Sequence, residues 1–268
     1  MKIAVVGSTG QIGRRLVALN AIPMNCNLLD ADEIKKAYDA IKPDVIINAA
    51  GISSVSACEE DYDKAVSVNV WGHNKLCEVA GDRNVILLSS EHVFDGVKGM
   101  YREDDDPCPI NDYGMTKFAA EGVTNLYNGK VIRLSRTFNN RIGSDINKFV
   151  HDISRGKSAY VPTFFIKNYI HTDFACHGAM HFAERFSDMP DVIHYGGLQP
   201  ITFYALVCDI SDKIFGGHDF VIPREYEIPE AKRPMNCSFD MTLAYTFGMS
   251  HYSIEESVNQ FTKEEAYA

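Results

Sequence analysis

The chain has 268 residues, 46% hydrophobic and 23% charged, with a formal net charge of -10. That size suits one large domain or a domain with an appended lobe. The acidic balance argues against a nucleic-acid binder, which needs a basic face. No stretch approaches the ~20 apolar residues of a membrane span. The first residues, MKIAVVGSTG, enter a strand pattern and a glycine turn without the longer apolar region of a signal peptide, so a cytoplasmic setting is expected. Seven cysteines, none in a C-x-x-C pair, read as reduced packing thiols. No close Cys/His cluster offers a zinc site, so no metal is expected.

In chain order, residues 2–6 form a β-branched apolar run, followed by a glycine turn and a helical pattern over 14–19. A second amphipathic helix is expected over 32–41, a buried strand over 45–47 and a long helix over 63–80. A strand over 85–88, a helix over 116–127 and a strand over 131–134 continue the alternation. The stretch between the first helix and Asp30 leaves room for one short strand at most. The acidic run Glu103, Asp104, Asp105 and Asp106 reads as a solvated loop. Beyond 139 the rhythm weakens, with helices expected over 142–154 and near 173–186 and a late strand over 169–172.

Strands alternating with helices predict an α/β fold, a Rossmann-like doubly wound parallel sheet with a smaller C-terminal substrate-binding lobe. Residues 1–140, completed by 165–190, would form the dinucleotide-binding domain, and 141–164 with 191–268 the lobe. Ligands of such sheets bind beyond the carboxyl ends of the strands. Gly7 to Gly13, Asn48 to Gly51 and Ser89 to His92 fall there.

Gly7-x-x-Gly10-x-x-Gly13, with Thr9, Gln11 and Ile12 between the glycines, joins the first strand to the first helix. Glycines allow the tight turn and the approach of a pyrophosphate to backbone N–H groups at the helix start. An acidic residue about 20 positions further on suits a ribose 2′-OH, and an arginine suits a 2′-phosphate. Asp30 stands near the first position, while Arg14 and Arg15 follow the last glycine directly. The balance leans slightly to NADP, with NAD the alternative.

Tyr113 and Lys117 lie one helical turn apart. A tyrosine can donate a proton to a carbonyl that receives hydride, and a nearby ammonium lowers its pKa. Ser90, at a strand end, supplies a hydroxyl for the substrate oxygen.

Several stretches carry a specific resemblance. "VVGSTGQIGRRL", "KPDVIINAAG", "LLSSEHVFDG", "PCPINDYGMTKFAAE" and "RPMNCSFD" resemble, in order, the motifs of the dTDP-4-dehydrorhamnose reductase family within the extended short-chain dehydrogenase/reductases. The resemblance implies Ser90, Tyr113 and Lys117 as the catalytic set. It places Asn48, Ala49, Ala50 and Ser89 along the cofactor, and Asp30 with Ala31 near adenine. It implies an NADP- or NAD-dependent reductase of a nucleotide-linked 4-keto-6-deoxysugar, and homodimers are common in the family. Two related readings are a nucleotide-sugar epimerase or dehydratase with bound NAD, and a non-catalytic NADP-binding regulatory subunit like that of methionine adenosyltransferase.

The sequence departs from the family at Glu91-His92, where Asp-Tyr is usual, and at Arg136, where tryptophan is frequent. Glu91, His92, Arg136 and Arg233 are therefore candidates for substrate contact, with Lys148 and Asn236 behind them. His171 reads as a packing residue.

Overall fold

The computed structural model describes residues 1–81, 84–140, 145–225 and 232–263. Six parallel strands run in the order Val192–Tyr195, Lys130–Leu134, Asn84–Ser90, Val45–Asn48, Ile3–Val6 and Ile22–Pro23. Ile3–Val6 and Val45–Asn48 are buried at every position, as strands covered on both faces are. On one face Leu16, Ala175, Ala179 and Phe182 pack against Val5 and Ile47. On the other, Ile34, Leu76, Cys77 and Ala80 pack against Ala4, Val6 and Ile46. The sheet is thus doubly wound. Its strand order reverses between Ile3–Val6 and Val45–Asn48, which opens a crevice beyond their carboxyl ends.

The second strand is cut down to Ile22–Pro23 at the sheet edge, a place where a missing N–H is tolerated. Val192–Tyr195 lies in the stretch assigned from sequence to the smaller lobe, yet it pairs with Lys130–Leu134 as the opposite edge strand. Its short length and the Pro190 before it hid it among loop-like segments.

The long helix over 63–80 is interrupted. Tyr62–Val66 passes through a π turn at Ser67–Trp71 into Gly72–Ala80. Asn69, inside that turn, bonds both the N–H and the carbonyl of Ile52 (2.7 and 3.0 Å) and Thr116 Oγ1 (2.9 Å). The wider turn aims this side chain inward. The helix expected over 116–127 begins earlier and spans Asp112–Leu126, because Asn111 Oδ1 accepts from Gly114 N at 2.8 Å and caps it. Tyr113 therefore sits in the first turn.

Beside the sheet, helices Asp145–Ser154, Phe203–Phe215 and Ile254–Lys263 pack around clusters that include Phe138, Tyr169, Leu206 and Phe261. Residues 142–144 of the expected helix lie outside the described residues. The acidic run is not simply solvated: Glu103 accepts from His194 N (2.8 Å) and Asp105 pairs with Lys98 (2.5 Å).

Candidate active site

The crevice begins at the glycine turn. Gly7 holds φ +82°, and a Cβ there would lie 2.7 Å from Ala50 N. A Cβ on Gly13 would lie 2.0 Å from Gly7 O. The turn thus presses backbone on backbone and leaves the start of helix Gln11–Ala18 bare. Its cap is Gly10, which has no side chain to satisfy the first N–H groups, and its first turn carries no acid. Uncapped donors at a helix N-terminus suit a pyrophosphate. Thr9, Gly10, Gln11 and Arg14 are exposed along this edge, while Ile12 packs on the core. Gly13→Ala should abolish dinucleotide binding and lower stability by about 1–3 kcal/mol, since neither backbone can retreat cheaply. Cofactor titration and a thermal melt measure both.

Several other sequence-derived positions are engaged by their own neighbours. Asp30 caps helix Ala31–Ile41, its Oδ1 accepting from Asp32 N (2.9 Å) and Glu33 N (3.2 Å). The carboxylate is engaged by its own helix, with Ala31 exposed behind it. Arg15 is ion-paired with Asp173, whereas Arg14 stays exposed. The Asn48 side chain is held by Ala50 N (3.0 Å) and His73 (2.9 Å). The Ser89 hydroxyl turns away to donate to Glu121 at 2.5 Å. Ala49 and Ala50 line the far side of the crevice as half-buried residues.

Ser90 and Tyr113 come together, and Lys117 follows Tyr113 by one turn of the same helix. Ser90 ends the strand Asn84–Ser90, where its Oγ donates to Glu91 Oε2 (3.4 Å) and accepts from His92 N (3.3 Å), with the Tyr113 phenol beside it. Burial raises the Tyr113 pKa above that of free tyrosine, and the neighbouring Ser90 hydroxyl only partly opposes this. Lys117 was expected to lower that value, but it is not among the groups that act on the phenol, which burial keeps protonated. Lys117 is itself buried, which pushes its pKa down to about 8 against the pull of Glu121. Glu121 is clamped by Arg133 (2.8 Å).

Past Tyr113 the crevice widens into a cavity of about 320 Å³. Its polar lining is His92, Arg136, Lys148, Lys167 and Arg233, facing the aromatic rings of Phe149, Phe165 and Phe203. Glu91 is not in this lining. It is buried in the wall, its Oε1 2.5 Å from Lys167 Nζ. Burial raises its pKa, but Lys167 and its other partners outweigh that and hold it below the usual carboxylate range. Asn236 also falls outside, its Oδ1 accepting from Ser238 Oγ at 2.8 Å. His171 caps helix Thr172–Glu184 and is buried. Lys167 itself escaped the sequence reading. Its one signal was a lysine between Phe164-Phe165-Ile166 and the short strand Ile170–His171.

Lys167→Met should destabilise the protein by about 3–5 kcal/mol, because it strands a buried carboxylate. The double variant Glu91→Gln/Lys167→Met should recover most of the loss, as chemical denaturation would measure.

The family described as RmlD substrate binding domain matches residues 1–267. The chain belongs to this family. It is 24% identical over 282 residues to methionine adenosyltransferase 2 subunit beta of Danio rerio, covering 93% of this chain and 85% of that protein. It is 34% identical over 169 residues to dTDP-4-dehydrorhamnose reductase of Aggregatibacter actinomycetemcomitans, covering 58% and 56%. Among solved structures, dTDP-4-dehydrorhamnose reductase of Bacillus anthracis in complex with NADP superposes with a TM-score of 0.91 at 19% identity, over 99% of this chain and 100% of that one. This structural likeness supports the doubly wound fold. Among the described residues no helix is long and apolar enough to cross a membrane, and no group of three or more His, Cys, Asp or Glu could hold a metal ion.

Proposed function

We propose that this protein is an NAD(P)H-dependent reductase of a nucleotide-linked 4-keto-6-deoxysugar. The reading rests on the Tyr113 phenol set beside Ser90, with its ring edge-on to His92 (centroids 5.4 Å apart), a residue that lines the cationic cavity. The nicotinamide, when bound, supplies the hydride. Ser90 orients the ketone oxygen and Tyr113 Oη gives it a proton. Lys117, buried one turn along, helps hold the nicotinamide end and restores the proton. Arg136, Lys148 and Arg233 suit the diphosphate of a nucleotide sugar, with guanidinium groups able to grip two oxygens at once. NADP is the favoured cofactor, since Asp30 is engaged by its own helix and Arg14 is exposed beside the turn.

In this reading the sheet with its flanking helices carries the cofactor, and the smaller lobe covers the sugar. The protein works in the cytoplasm as a homodimer, which sedimentation would test. The near full-length likeness to the methionine adenosyltransferase subunit favours a second reading, a regulatory partner. The complete Ser90, Tyr113 and Lys117 set supports chemistry instead. Oxidation of NADPH by a dTDP-4-keto-6-deoxyhexose tests the first reading. NADP binding without turnover, together with capture of a methionine adenosyltransferase, would favour the second.

A further inference from the structure

The wall between Ser90 and the cavity contains a hydrogen-bonding mismatch. Asn111 Oδ1 accepts from Gly114 N (2.8 Å), and its Nδ2 donates to Lys232 O (3.0 Å). The orientation of that amide is therefore fixed from two sides. The same Nδ2 lies 3.0 Å from His92 Nδ1, so Nδ1 must accept. Burial, with Lys167, Arg136 and Arg233 nearby, pushes the His92 pKa down to about 3 and keeps the ring neutral. Its single proton is then on Nε2.

Among the described residues that N–H has no acceptor within hydrogen-bond reach. Beside it lie Lys167 Nζ at 3.5 Å, itself only a donor, and Glu91 Oε1 at 4.0 Å, beyond hydrogen-bond reach. Lys167 gives one proton to Glu91 and has two more. Both side chains are at least nine-tenths buried, and both line the cavity. Two donors facing each other call for an acceptor oxygen between them. The His92 ring packs edge-on to Tyr113, with centroids 5.4 Å apart. The donor pair is thus next to where Tyr113 and Ser90 would hold a ketone.

We infer that His92 and Lys167 seat the oxygen on the sugar carbon beside the ketone. The inference rests on the reductase reading above for which sugar occupies the cavity. In a 4-keto-6-deoxyhexose the ketone carbon has two ring neighbours. C5 carries a methyl group, and only C3 carries a hydroxyl. The pair therefore selects sugars bearing a 3-hydroxyl. Glu91 is a positioning residue that holds the Lys167 ammonium in place.

The test measures binding, by calorimetry with NADP present, of a dTDP-linked 6-deoxyhexose and its 3-deoxy counterpart. The wild type should prefer the hydroxylated ligand roughly 10- to 100-fold, the size of a hydrogen bond to a charged group. His92→Phe and the double variant Glu91→Gln/Lys167→Met should each lose the preference. His92→Gln, which retains an N–H near the Nε2 position, should restore part of it. The two deletions act on opposite sides of the seat, and retained NADP binding shows that each has folded. Preference surviving in folded His92→Phe, or absent from the wild type, would overturn the inference. Selective binding without NADPH oxidation would leave the seat standing and remove the reductase reading instead.

Discussion

Tyr113→Phe is expected to reduce turnover roughly 100- to 10,000-fold, the usual contribution of a positioned general acid. The substitution removes one oxygen and leaves the ring packed against His92. Dinucleotide binding rests on the glycine turn, so the variant should bind NADP(H) like the wild type. Substrate binding should weaken far less than turnover falls, because the lost interaction grows as charge develops on the ketone oxygen. Ser90→Ala should do less, since Tyr113 keeps its proton without Ser90. Full turnover by Tyr113→Phe would remove the phenol from the reaction.

Acid should unfold the protein, and three histidines say where. His73, His92 and His194 are buried, and each accepts an N–H donor that cannot reverse. These donors are Asn48 Nδ2 on His73 (2.9 Å), Asn111 Nδ2 on His92 (3.0 Å) and Arg133 Nη1 on His194 (3.3 Å). Burial, then the neighbouring charge of Lys117, Lys167 or Arg133, pushes each pKa from 6.5 to about 3. The unfolded chain therefore takes up these protons first. Their contribution is intact above pH 6.5 and is lost as pH falls towards about 3. Each histidine costs up to about 1.4 kcal/mol per pH unit in that window, and the three together about 4. Against a total stability of about 5–15 kcal/mol, unfolding should set in well before the carboxylates protonate. Denaturant midpoints should fall steeply below about pH 6. A flat profile down to about pH 5, or imidazole NMR signals titrating near the ordinary value, would contradict this.

What was legible in the sequence was chemistry fixed by local spacing. The glycine turn, the Asn48–Gly51 strand end and the Tyr113/Lys117 pair depend on residues within one turn or one strand–helix joint. Each falls on the same rim of the sheet. The alternation of buried strands and amphipathic helices was enough for the doubly wound fold. Asp30 shows where local reading stops, because an acid before a helix looks the same whether it caps the helix or holds a ribose. Ser89 and Ser90 are adjacent in a strand and so face opposite sides, which only the placement of Glu121 reveals. Glu91 and Lys167 are 76 residues apart and share no motif. Their pairing depends on how the segment Ile166–Lys167 crosses the end of Asn84–Ser90. The π turn at Asn69 is equally tertiary, drawn by the backbone of Ile52 and by Thr116.

The central claim is net hydride transfer to a sugar ketone with Tyr113 as proton donor. Its most direct measurement uses NADPH carrying deuterium at the transferable position, a dTDP-4-keto-6-deoxyhexose and mass spectrometry of both products. One deuterium on the sugar for each cofactor oxidised, at a rate that collapses in Tyr113→Phe, is the result expected. Deuterium that stays on the cofactor, or sugar altered with no net cofactor oxidation, would contradict the reduction and point to an enzyme that returns its hydride.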